Sequence, residues 1–210
     1  MAQRKINVNY TKAIVVCHGK SEKLIAEYLK SNLRINVEIC SKDKGKHSIQ
    51  ITSLNNFLKN KVASNLNEIR KKYLVEYNNK TKKIDDFKIF TIMDTDDCTE
   101  KQKENYINGK MFKDYSLNEY IVPIYNINKL EHVIKESKIW YEEIKESRKA
   151  ETYIKIFPPA KGKKIEEDAI TLINERKQKF EKNKNTNLDL LFKYCIEHTR
   201  NFKHDDLNNC

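Results

Sequence analysis

Ala13-Ile14-Val15-Val16-Cys17-His18-Gly19-Lys20-Ser21-Glu22 is the stretch on which the fold of this chain turns. Its first five residues are a continuous, largely β-branched apolar run, the pattern of a strand buried on both faces as in a parallel sheet. His18 to Ser21 makes a short turn. Leu24, Ile25, Tyr28, Leu29 and Leu33 then recur at helical spacing, with Ser21 the expected N-cap and Glu22 in the first turn as a partner of the helix dipole. Strand, turn and helix together open a βαβ unit.

The same alternation continues outward. Residues 36–40 read as a second strand, 41–47 as a basic loop around Gly45, and Ile49 to Leu58 as a helix. A further helix is expected over 62–77 and a polar break over 78–83. Next come a strand over 87–93, a helix near 99–107, a strand over 120–125 and a helical segment over 126–134. Beyond Trp140 and Tyr141 strands fade, and two helices are expected near 165–180 and 188–198, after Pro158-Pro159. This predicts an α/β fold with a mostly parallel sheet flanked by helices in residues 1–135. Residues 136–210 form a helical C-terminal extension packed on it, with a frayed tail over 201–210.

The chain has 210 residues and a formal charge of +11; 39% of it is hydrophobic and 34% charged. Such a charge attracts polyanions and says little about fold. Lys, Asn and Ile are so abundant that genome composition is an alternative source of the lysine excess. Five dispersed cysteines without CxxC spacing argue for reduced thiols in the cytoplasm, against a disulfide framework or a zinc site. Met1 to Tyr10 lack a signal-peptide core, and no run approaches the roughly 18 apolar residues of a membrane span, so a soluble cytoplasmic protein is expected.

The chemistry-bearing residues gather where strands are expected to end. Asp94, Asp96 and Asp97 follow the third long apolar run, and in an extended stretch the carboxylates of a D-x-D pair point the same way and can grip a hard cation. The alternative is an acidic loop that caps the next helix. His18, followed by Gly19, is placed to act as a general acid or base or to bind metal, or else is a half-buried histidine satisfied by backbone. Lys20 adds charge to a helix N-terminus that attracts anions. Lys44 and Lys46 overhang the same rim if the second strand neighbours the first, and there they would hold phosphates; otherwise they belong to a solvated loop. Lys161-Gly162-Lys163-Lys164 has the same two readings. Glu131, after the strand over 120–125, is also within reach of the rim. The 11 Tyr and 8 Phe fall at core-like spacings, with no array for stacking single-stranded bases.

Two segments, Val15-Val16-Cys17-His18-Gly19-Lys20-Ser21-Glu22 and Phe90-Thr91-Ile92-Met93-Asp94-Thr95-Asp96-Asp97, resemble the Toprim domain shared by DnaG-type primases, type IA and II topoisomerases and OLD-type nucleases. The Gly-Lys-Ser-Glu run and Pro123 to Glu131 look most like the small RloB- and AbiL-like Toprim proteins of bacterial phage-defence loci. That resemblance implies a Toprim-like sheet and a nuclease dependent on Mg²⁺ or Mn²⁺, acting on RNA or DNA. It also implies metal on Asp94 and Asp96, helped by Asp97 or Glu131, and a partner protein from the same locus. Gly19 matches the family glycine. The family's glutamate at the end of the first strand is His18 here. The expectations are therefore a nuclease in which His18 moves the proton, a non-catalytic module that senses nucleic acid, nucleotide or a phage protein on the same scaffold, or a plain interaction protein without metal, the last if the three aspartates are splayed or engaged by adjacent lysines.

Overall fold

The computed structural model describes residues 8–160, 162 and 165–199; Lys161, Lys163, Lys164, Cys210 and the expected frayed tail lie outside them. The core is a four-stranded sheet in the order β2-β1-β5-β6, built from β1 (Ala13–Cys17), β2 (Val37–Cys40), β5 (Lys88–Asp94) and β6 (Ile121–Asn126). All three pairings are parallel. A two-stranded antiparallel hairpin, β3 (Tyr77–Asn78) with β4 (Lys83–Ile84), occupies the expected polar break.

β1 is central, as its apolar run predicts, and all five of its residues are buried. Sinking an Ile or Val side chain in this way contributes roughly 1.5–3 kcal/mol. Ala13, Val15 and Cys17 face a core with α1 (Lys20–Leu33), α5 (Leu130–Glu136), α6 (Lys149–Ile156), α7 (Glu167–Glu181) and α8 (Asp189–Glu197). Ile14 and Val16 face a second core with α2 (Ile51–Phe57), α3 (Leu66–Lys72) and α4 (Glu100–Ile107). The C-terminal helices therefore continue the layer begun by α1. Within it the buried Arg176 guanidinium lies 5.0 Å from the ring centre of Tyr28 and 4.8 Å from that of Phe157, a cation–π contact on both rings.

Several local expectations are corrected. Ser21 does not cap α1: the helix starts at Lys20 on an extended Gly19 (φ −150°), because Glu22 Oε2 accepts from Gly19 N at 2.8 Å. Gly19 has no side chain to return the bond, so only this half of a capping box exists. The helix expected over 62–77 shrinks to α3, capped by Asn65 and stopped by the extended Tyr73, and Leu74 is left exposed. The 126–134 helix begins only at Leu130.

From β1 the chain steps outward to β2, then crosses back to build β5 and β6 on the other side. Strand order thus reverses between β1 and β5, and in open α/β sheets the crevice beyond the carboxyl ends of such a pair is where ligands bind. His18 follows β1 and Asp94 ends β5, so both stand at that crevice.

Candidate functional site

A cleft of about 770 Å³ opens at this switch point, lined among others by His18, Gly19, Lys20, Glu22, Lys46, Asp94, Asp96, Asp97, Lys129, Glu131 and Lys149. Every sequence-predicted site residue except Lys44 lines it. Lys44 lies in a neighbouring hollow with Lys23 and Lys42.

Asp94 is the anchor. It is buried at 7% exposure, and its Oδ1 accepts from Asn126 Nδ2 at 3.0 Å and from the Leu130 backbone N–H, the first of α5, at 3.1 Å. Asn126 is itself held by Thr186, whose Oγ1 donates to Asn126 Oδ1 at 3.0 Å, and Ile127 N donates to Asn185 O at 2.7 Å. The segment before α8 thereby closes the β6 edge and fixes the amide that holds the carboxylate. Two donors favour the ionised acid. Even so, burial first and the Glu22 charge second push Asp94 from 3.8 to about 7, against the pull of Asn126 and His18.

Glu22 is the residue that sequence reasoning undervalued. It is 3% exposed, and burial pushes it from 4.5 to about 7 against the bonds from its own and Gly19's backbone N–H. Glu131 adds repulsion and Lys149 relieves it. Nothing in a Ser-Glu dipeptide at a helix start reveals burial. The usable signal was its place one helical turn after His18.

The D-x-D reading is corrected in its geometry. β5 ends at Asp94, and Thr95 turns inward, its N–H donating to the Asn126 and Asn128 carbonyls at 3.1 Å each. The two-residue alternation stops there, leaving Asp96 and Asp97 exposed on the cleft rim. Asp96 pairs with Lys129 at 3.5 Å. Glu131 is held by Lys149 at 2.8 Å and by the buried Tyr153 hydroxyl, which donates to it at 3.1 Å. Burial raises the Asp97 carboxyl, partly offset by His18.

His18 is fixed by two bonds to one residue. Its Nδ1 lies 3.0 Å from the Ile49 carbonyl, and its own carbonyl accepts from Ile49 N at 2.9 Å. A carbonyl only accepts, so Nδ1 carries the hydrogen and, in the neutral ring, Nε2 keeps its lone pair for a proton or a metal. The loop that supplies Ile49 is seated by Gly45. Its φ of +89° and a would-be Cβ only 3.1 Å from Lys20 Cα make any side chain there both strained and crowded.

Among the described residues, no three His, Cys, Asp or Glu side chains converge as a ready-made metal cage, so the four expected ligands Asp94, Asp96, Asp97 and Glu131 do not form one. The donor chemistry of the inner pair still suits a hard cation. Glu22 and Asp94 are desolvated carboxylates that repel one another, and Mg²⁺ characteristically takes one or two carboxylates and completes its shell with water and phosphate oxygens. No helix among the described residues is long and apolar enough to cross a membrane. No family model, curated protein or solved structure matches this chain.

Proposed function

We propose that this cleft is a Toprim-like site for metal-dependent hydrolysis of phosphodiesters in RNA or DNA. The observation that carries the reading is the pair of buried acids, Glu22 and Asp94, both pushed to about 7 at the switch point of a parallel sheet. Burial raises both carboxyls in spite of the donors each one accepts from, and sites for cations and proton transfer are commonly built this way.

In this reading Glu22 and Asp94 hold Mg²⁺ or Mn²⁺, which would supply charge neutralisation at the phosphate and lower the pKa of a bound water. Asn126 and the Leu130 N–H orient Asp94. His18, with its tautomer set by Ile49, accepts or delivers a proton at Nε2. Lys20 and Lys46 line the same cleft and position the phosphate. Glu22 takes over the place near the acid centre that the His18 substitution vacates. Incubation of the wild type and Asp94→Asn with tRNA, single-stranded and duplex DNA, in Mg²⁺, Mn²⁺ or chelator, tests this. Metal-dependent cleavage lost in the variant is expected.

A second reading, a binding module without catalysis, is favoured by one observation: Lys129 and Lys149 already neutralise Asp96 and Glu131. It predicts nucleic-acid or nucleotide binding by the wild type with no cleavage in any metal.

A further inference from the structure

The loop Lys42–Gly45 and the residue after it divide two concavities. Gly45 and Lys46 line the cleft, while Lys42 and Lys44 line the neighbouring hollow of about 620 Å³ with Lys23, Lys61 and the partly buried Phe57. The loop is held in a costly form. Asp43 (φ 46°, ψ 46°) and Lys44 (φ 59°, ψ 26°) are both left-handed without being glycine, and Gly45 follows at φ 89°. Each such non-glycine residue costs on the order of 1–3 kcal/mol and persists only where the surroundings enforce it. Here the Gly45 contact with Lys20 and the two His18–Ile49 bonds do so.

Asp43 on this ridge faces His47 at 3.8 Å, and among the described residues the ridge lysines are left without an acidic partner. The other cleft lysines are paired, Lys129 with Asp96 and Lys149 with Glu131, and Lys23 is paired with Glu27 at 3.2 Å. Among the described residues Lys20, Lys42, Lys44, Lys46 and Lys61 have no acidic partner within 4.0 Å. Among the described residues, five unpaired ammonium groups are thus shared between the cleft and the adjoining hollow beside the β2 edge, on either side of a ridge that also carries Asp43. A small phosphate ester would use only the two in the cleft. Charges that continue beyond the reacting centre fit a repeating polyanion whose charges recur along its length.

We infer that the hollow is an extension of the substrate path: the sugar–phosphate backbone of a polynucleotide seated in the cleft crosses the Lys42–Gly45 ridge and lies against Lys42, Lys44 and Lys61. The direction of the path rests on the reading of the cleft as a phosphodiester site, while the binding it predicts can be measured without catalysis.

The test uses the full chain and its Lys42→Ala/Lys61→Ala variant, both changes at exposed positions, with Lys42→Arg/Lys61→Arg as the charge-retaining control. Fluorescein-labelled oligothymidylates and oligouridylates, graded upward from two nucleotides, are titrated at several salt concentrations in chelator. Hydrolysis of an unlabelled dinucleotide is followed separately in Mn²⁺. With a counterion exponent of about 0.7 per phosphate on single strands, two lost contacts flatten the log–log salt slope by about 1.4 and weaken long-oligomer binding roughly 25-fold at 0.1 M salt. The dinucleotide should be bound and hydrolysed as by the wild type, and the Arg variant should restore long-oligomer binding. Unchanged affinity and slope for long oligomers, or no binding of them by the wild type, overturns the path. A wild type that binds with the expected slope and loses it in the Ala variant, yet hydrolyses nothing, upholds the path and removes the nuclease reading alone.

Discussion

Replacing Glu22 by Gln should make the metal-free protein more stable at alkaline pH and abolish the proposed binding of a divalent cation. Gln keeps the shape and can still accept from Gly19 N, the bond that starts α1 at 2.8 Å. What it removes is a charge enclosed at 3% exposure. The folded-state pKa of Glu22 is raised from 4.5 to about 7, so between those values the folded chain holds a proton that the unfolded chain has released. Stability therefore declines as pH rises through this window, and the whole penalty is in force above it. At about 1.4 kcal/mol per pH unit the penalty is on the order of 3 kcal/mol. For a chain of this size 1 kcal/mol shifts Tm by about 2–4 °C, giving a rise of roughly 6–12 °C for Glu22→Gln in chelator at about pH 8. The gain should shrink toward zero below about pH 4.5, where both states of the wild type are protonated. Thermal melts by circular dichroism across pH, with and without Mn²⁺, read both effects. Added Mn²⁺ should raise the wild-type Tm and leave the variant unmoved. A variant no more stable than the wild type at pH 8 in chelator would refute the claim that burial penalises the charged form of Glu22 beyond what its hydrogen bonds and Lys149 offset.

Gly45→Ala should lower stability by about 1–3 kcal/mol, since alanine must adopt φ near +89° with its Cβ against Lys20; urea denaturation measures this, and a wild-type midpoint would show that the loop is not seated as described. Asn126→Ala leaves Thr186 Oγ1 and Asp94 Oδ1 each short of a partner, at a cost of roughly 2–3 kcal/mol. Removing that amide donor must also raise the Asp94 pKa beyond about 7, moving the acidic limb of any pH–rate profile to higher pH; a limb displaced to lower pH would contradict the assignment. Tyr153→Phe removes the hydroxyl that donates to Glu131 at 3.1 Å and should cost about 1 kcal/mol by denaturant titration, with no change expected if Lys149 alone fixes that carboxylate.

β1 and β5 were legible from their continuous apolar runs and β2 from a short alternating stretch, whereas the strand order that creates the switch point is set by packing and was not written in the sequence. α1, α4, α7 and α8 were legible from spacing. The failures have physical causes. The helix start moved because a side chain one turn in, Glu22, reached back to Gly19, which no propensity for Ser at a cap anticipates. D-x-D alternation failed because two carbonyls, Asn126 and Asn128, captured the Thr95 N–H and ended the strand one residue too soon. In the site, His18, Asp94 and the rim acids could be placed from strand ends, but burial could not. Glu22 looks like any first-turn glutamate until α6 and β5 are packed around it. Lys149 and Asn126 were invisible as site residues: the first comes from the C-terminal helices, and the second becomes a carboxylate's partner only through the β5–β6 register, which sets Asp94 opposite Asn126.

The proposed chemistry of the cleft requires Glu22 and Asp94 to hold a divalent cation between them. Electron paramagnetic resonance titration of Mn²⁺ into the wild type, Glu22→Gln and Asp94→Asn measures it most directly. One saturable site is expected in the wild type, lost in both variants together with cleavage. Undiminished Mn²⁺ binding by both folded variants would contradict it.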